Sequence, residues 1–211
     1  MKKEKLADKS QVCLNRISKY VSRDDFSLIR DELRIAPCTT YKLDRVNDVI
    51  FRSGTEKNKD RTNLLNEKYI LRHTFCDEAQ VELIKECSRG GMVKSITEKI
   101  SAETALRIIE RSTKWLCTSI SPLLRELGVK MTTERLRPEE IVSFSRESFN
   151  IENRLCITAD SSISLCGYKE GLDLDRMRKS EPVDDSICLL QINYERIIPE
   201  YISSLIGIKS H

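Results

Sequence analysis

The chain has little glycine and little proline, 7 and 5 in 211 residues. That scarcity excludes collagen-like and low-complexity organisation, and 33% charged beside 39% hydrophobic residues excludes a wholly disordered chain. Long apolar runs are absent: stretches such as Ile187–Leu190 fall far short of a membrane span. Met1–Lys5 is basic but no apolar stretch follows it, so we expect no secretory signal and a cytoplasmic protein. Cysteine is plentiful at eight, yet Cys13, Cys38, Cys76, Cys87, Cys117, Cys156, Cys166 and Cys188 contain no Cys-x-x-Cys pair. A zinc site needs closely spaced ligands, so reduced, mostly buried thiols are expected instead. Neither sign of charge dominates. The 36 Lys plus Arg stand against 33 Asp plus Glu, and a net +3 does not by itself call for nucleic acid.

The length suits a single domain able to bury about 70% of its unfolded-chain surface. We expect residues 1–12 to be a flexible N-terminus, 13–207 one domain and 208–211 a tail. Asn15–Val21 reads as a strand, and Ser22-Arg-Asp-Asp25 opens a helix on which Phe26, Ile29 and Leu33 share a face, ended by Pro37. Val46–Phe51 is a second strand, and the charged segment Gly54–Asn66 a mobile loop. Glu67–Phe75 and Gln80–Cys87 are strands, and Arg89-Gly90-Gly91 turns the chain into a third at Met92–Thr97. Ser101 caps one helix; Ser121 and Pro122 open another that Gly128 closes. Strands return at Ile141–Phe149, Arg154–Ala159 and Ile187–Tyr194, and Pro199 starts a terminal helix ended by Gly207. The sum is an antiparallel α+β domain with helices at its ends.

Successive side chains of a strand point to opposite faces. One choice of face gives Ile17 and Lys19; Lys68, Ile70 and Arg72; Leu83 and Lys85; Met92 and Lys94; Phe144 and Arg146; Cys156, Thr158 and Asp160; Gln191 and Asn193. Six of these are cations. In a closed sheet they line one lumen suited to a polyanion, Arg forks matching phosphate oxygens and Lys adding point charge. In an open sheet they are a solvated outer face.

Four stretches carry a family likeness: Ser18-Lys19-Tyr20-Val21-Ser22; Lys68-Tyr-Ile-Leu-Arg72-His73; Val81-Glu-Leu-Ile-Lys85 with the hairpin to Lys94; and the C-terminal series Ile141–Phe149, Leu155–Asp160, Leu190–Tyr194 and Ile198–Tyr201. In this order they resemble the VTC domain, the polyphosphate polymerase branch of the triphosphate tunnel (CYTH-like) proteins. The resemblance implies an antiparallel β-barrel tunnel that binds polyphosphate, ATP or another phosphorylated ligand. It implies phosphate contacts at Lys19, Lys68, Arg72, Lys85, Lys94 and Arg146, with Arg72, Lys85 and Arg146 also catalytic. It further implies Mn²⁺ or Mg²⁺ on inward carboxylates and transfer of the terminal phosphoryl group of ATP to a growing chain; whether the domain works beside a membrane-protein partner that carries product away is left open by the sequence.

The departures from the family pattern take both signs of charge: two expected arginines are Ile70 and Cys156, an expected lysine is Asn193, and the acids change most. Expected glutamates are Ile17, Leu83 and Gln191, with Glu82 on the other face unless a bulge turns it inward. Asp160 is then the one inward acid available to a metal, and whether Glu56, Glu67 or Glu147 enters the lumen is open. We therefore expect a phosphate-binding tunnel whose metal-assisted chemistry is weakened or lost, with an active polymerase and a non-binding scaffold as alternatives. Arg89-Gly-Gly-Met-Val-Lys94-Ser95 lacks phosphate-loop spacing, and His73 with Cys76 is at most half a metal site, His211 being the other histidine.

Overall fold

The structure is a computed structural model that describes residues 9–37, 39–53, 66–75, 80–110, 113–151, 155–168 and 183–207. Eight strands, β1 (Lys9–Ser22), β2 (Thr40–Ser53), β3 (Asn66–Phe75), β4 (Gln80–Arg89), β5 (Met92–Ile100), β6 (Leu136–Ile151), β7 (Leu155–Gly167) and β8 (Ile187–Tyr194), close into one antiparallel barrel. Around the barrel the order is β1-β5-β4-β3-β2-β6-β7-β8. Four helices accompany it: α1 (Arg23–Ile35), α2 (Ala102–Ile109), α3 (Pro122–Thr133) and α4 (Glu200–Ile206). The expected loop over 54–66 lies outside the described residues except for Asn66, which opens β3. The connection at 76–79, and residues 1–8 and 208–211 of the expected termini, lie outside them too.

Local chemistry explains the punctuation. Ser22, Ser101 and Ser121 each accept a backbone N–H from three residues on, Asp25, Thr104 and Leu124, so every expected N-cap is made. Gly90 and Gly91 have φ of 55° and 81°, as a two-residue hairpin turn demands. Gly207 ends α4 at φ 67°. One boundary is corrected: Gly128 does not close its helix, which runs on to Thr133. Gly128 is instead buried where α3 crosses the short 3₁₀ turn Leu116–Thr118, and a Cβ there would lie 2.6 Å from that of Leu116. Strands β2 and β6 also run further than their apolar cores suggested. Pro138 is tolerated inside β6 because the pairing with β2 slips beside it, between Ile50 and Phe51.

The helices identify the outer wall. Val49 and Phe51, Tyr69 and Leu71, Val81 and Leu83, and Ile141 pack with Ala105, Ile108, Leu123, Leu124 and Leu127 of α2 and α3. On another side Phe149, Ile151, Leu155, Ile157, Leu190 and Ile192 pack with Phe26, Ile29 and Leu33 of α1 and Ile202 and Ile206 of α4. Side chains of the opposite parity face the lumen. Val46, Ile50, Ile70, Ile84, Val93 and Phe144 are among them, buried yet outside both helix-covered clusters.

Candidate functional site

The same parity brings charged side chains to the lumen as opposed pairs. Asp48 on β2 stands across from Arg72 on β3, and Arg146 on β6 lies between Asp44 on β2 and Asp160 on β7. Glu82 and Glu86 on β4 stand opposite Arg72 and Lys68. Opposite charges at facing strand positions stabilise the ladder, so this register is electrostatically consistent.

Three arginines anchor the site. Arg72 donates Nε and Nη2 to the two oxygens of Asp48 at 2.8 and 2.6 Å. Arg146 does the same to Asp160 at 2.6 and 2.7 Å, and its guanidinium lies 4.8 Å from the Phe144 ring centroid. Arg16 donates Nε to Asn193 and closes an end-on fork over Glu86, Nη2 to Oε1 at 2.9 Å and Nη1 to Oε2 at 3.3 Å. Burial works against the Arg72 charge. The hydrogen bonds and charge of Asp48 outweigh it, Asp160 and Glu86 adding to them, and the guanidinium is held above its ordinary range. Burial likewise opposes ionisation of Glu86, but Arg16, then Lys68 and Arg72, hold its carboxyl below the usual value. Burial pushes the lumen-face Cys156 thiol up against the opposing Arg146 charge, leaving it a poor nucleophile. Asp44 Oδ1 and Thr158 Oγ1, also on this face, are buried without a hydrogen-bond partner among the described residues.

Several expected site residues lie elsewhere. Lys19 faces outward and donates its Nζ to the Ile206 carbonyl at 2.6 Å, binding the end of α4 to β1. Lys85 also faces outward, into a carboxylate cluster with Glu126 of α3 at 2.5 Å and Glu67 at 3.1 Å. Lys94 is exposed on the outer wall between Cys13 and Cys87. Ile17 and Leu83 share that wall, so they say nothing about acids lost from the lumen. The cause is a register: Lys68 stands opposite Glu86, not Lys85, and a slip of one residue exchanges the faces of a whole strand. Lys68, Arg72, Arg146, Asp160 and Gln191 do lie on the lumen face, Lys68 exposed near Glu86.

The acids are corrected in the same way. Asp160 is not the single inward acid, because Asp44, Asp48, Glu82 and Glu86 join it. Glu82 is inward with no bulge needed. Glu147 is on the outer wall, where Tyr41 donates its hydroxyl to it at 3.0 Å; Glu67 is bound by Lys85 and Lys130; Glu56 lies outside the described residues. Sequence reasoning missed Arg16, Asp48 and Glu86. Pairing β3 with β4 for opposed charge would have exposed Glu86, because it sets Lys68 against Glu86 and Arg72 against Glu82 together.

A closed eight-stranded antiparallel barrel with charged lumen pairs defines the class of tunnel-barrel proteins. The chain belongs to the VTC domain family, whose profile matches residues 13–211. No curated protein matches it. Solved structures share the fold at low identity. HpAC1 from Hippeastrum, a candidate adenylyl cyclase with a dominant triphosphatase activity, superposes with TM-score 0.53 at 11% identity over 92% of this chain and 84% of its own. A candidate adenylate cyclase from Bacillus halodurans gives 0.53 at 15% over 93% and 87%. PH1819 from Pyrococcus horikoshii gives 0.50 at 14% over 95% and 92%. No described helix is long and apolar enough to cross a membrane.

Proposed function

We propose that this VTC domain binds ligands carrying several linked phosphates, inorganic polyphosphate or a nucleoside triphosphate such as ATP, in its barrel lumen. One observation carries the reading. Arg72 and Arg146 each give Nε and Nη2 to a single carboxylate, which leaves the Nη1 edge of both guanidiniums without a partner among the described residues. A guanidinium pinned on one edge by an acid presents a pre-oriented second edge, the geometry that takes a phosphate bidentately. Lys68, exposed on the same face, adds a mobile charge. Family membership and the activities named for the Hippeastrum and Bacillus proteins favour triphosphates as the ligand class.

Metal-assisted chemistry is the weaker half of the site. Mn²⁺ or Mg²⁺ requires carboxylate oxygens free to coordinate. Asp160 and Asp48 are each held by an arginine fork, and no group of three His, Cys, Asp or Glu comes together among the described residues. We therefore assign the protein groups to binding and orienting phosphates, and derive no transfer step. A polymerase reading keeps one supporting observation: the lumen face carries Asp44, Asp48, Glu82, Glu86 and Asp160, more acid than the sequence alone suggested.

The test is incubation of the purified chain with ATP and Mn²⁺, resolving product on a polyphosphate gel, beside a thermal-shift titration with tripolyphosphate. We expect a phosphate-dependent shift that Arg146→Ala abolishes, and no polymer. New polymer lost in Arg146→Ala establishes the polymerase. No shift and no polymer leaves a scaffold.

A further inference from the structure

Arg16 and Glu86 are not on neighbouring strands. Arg16 belongs to β1 and Glu86 to β4, with β5 between them, so their ion pair spans a strand across the lumen face. The guanidinium is also fully committed: Nε goes to Asn193 of β8 and both terminal nitrogens go to Glu86. This differs from Arg72 and Arg146, whose acids leave one edge over. The Glu86 carboxylate is thus bonded to Arg16 and stands directly opposite Lys68 on β3, with Arg72 further along the same face. Two oxygens on one anionic group, held by a guanidinium and faced by an ammonium, reproduce what a phosphate group offers the same donors. The pair is also reachable, about a fifth to a quarter of each side chain being exposed, whereas Asp48 and Asp160 are far more enclosed.

We infer that Glu86 is a built-in competitor: its carboxylate occupies the phosphate position between Arg16 and Lys68, and a ligand enters by exchanging a phosphate for it. The exchange rests on the lumen phosphate reading above. It assigns Arg16 as a third phosphate-binding arginine. It also selects for ligands with several linked phosphates. A single phosphate gains one contact set at the cost of the resident pair, while a chain held on Arg72 and Arg146 presents its next phosphate to Arg16 at high effective concentration.

Isothermal titration of the full chain with tripolyphosphate, at low salt and without divalent metal, tests this. Glu86→Gln keeps size and removes the competing charge, so affinity should rise about tenfold or more, as expected for one charge at contact range in a partly exposed site. Glu86→Asp, a shorter acid that reaches Arg16 less well, should fall between, and serves if the glutamine variant melts early. Arg16→Gln should weaken binding. Unchanged or weaker binding by folded Glu86→Gln overturns the competitor role while wild-type binding keeps the lumen reading intact. Affinity unchanged without metal but weakened once Mg²⁺ is added makes Glu86 a metal ligand and also overturns it. No binding by wild type and variants alike, all folded, removes the lumen reading itself.

Discussion

Removing Asp48 isolates one arginine in a largely enclosed place, and the cost can be worked from the structure. Asp48 Oδ1 and Oδ2 accept from Arg72 Nε and Nη2 at 2.8 and 2.6 Å, and the side chains are 9% and 20% exposed. Breaking a buried pair from one side costs about 3–5 kcal/mol, because the remaining charge keeps its desolvation penalty. Asp160 and Glu86 also act on Arg72 from further away, which places Asp48→Ala in the lower half, about 3–4 kcal/mol. For a domain of this size that lowers Tm by about 6–16 °C. Replacing both partners, Asp48→Leu with Arg72→Met, removes the isolated charge and should recover most of the loss. Urea denaturation followed by circular dichroism on the three proteins reads all of this. A cost for Asp48→Ala below about 1 kcal/mol, the scale of an exposed pair, would show that Arg72 reaches water without its partner. A double variant no better than Asp48→Ala would show that the loss is packing, not charge.

Three further outcomes follow from other contacts. Gly128→Ala gains helix propensity of about 1 kcal/mol but forces a Cβ to 2.6 Å from Leu116 Cβ, so a net loss of about 1–2 kcal/mol is expected in the same urea assay. Lys85→Met should cost about 1–2 kcal/mol by releasing Glu126 and Glu67 of the α3 anchor, with tripolyphosphate affinity unchanged by calorimetry. Glu86 and Glu67 are both held below the ordinary carboxylate value of 4.5, so their stabilisation is complete above it and is lost as pH falls through their lowered folded values. Thermal melts from pH 7 down to pH 3 should show that loss, with Glu86→Gln giving a flatter curve.

The fold was legible because its signals are local. Three of the four helices, α1, α2 and α3, start on a serine whose hydroxyl meets an N–H three residues on, and the Gly90-Gly91 turn needs positive φ twice. The extents of β2 and β6 were harder to see. Their outer ends carry charged and polar residues such as Lys42, Asp44 and Arg137, which strand propensity disfavours and which the long ladder between β2 and β6 keeps in place, Lys42 against Ser148, Asp44 against Arg146 and Arg137 against Arg52. Gly128 misled for a similar reason. A glycine late in a helical pattern usually marks an end, but here it permits close approach of a neighbouring segment, which no local rule reports.

The site was half legible, and the missing half turns on what chooses a face. In β4 one parity carries Val81, Leu83 and Lys85, the other Glu82, Ile84 and Glu86, so both faces mix apolar and charged residues. Selecting the face by its lysines assumed that a phosphate lumen must be where the cations are. The barrel uses Lys85 differently: its ammonium holds α3 through Glu126 and Glu67, the role of a helix anchor. Within the lumen, cations come with acids opposite them. That arrangement follows from burial, since an arginine such as Arg146 cannot be enclosed at low cost without a partner, and Asp160 supplies one. A polyanion site built this way does not show as an excess of positive charge. On the reading proposed above, its mark is an arginine with one edge on a carboxylate and the other edge left over, a geometry that Arg72 and Arg146 have and Lys19, Lys85 and Lys94 do not.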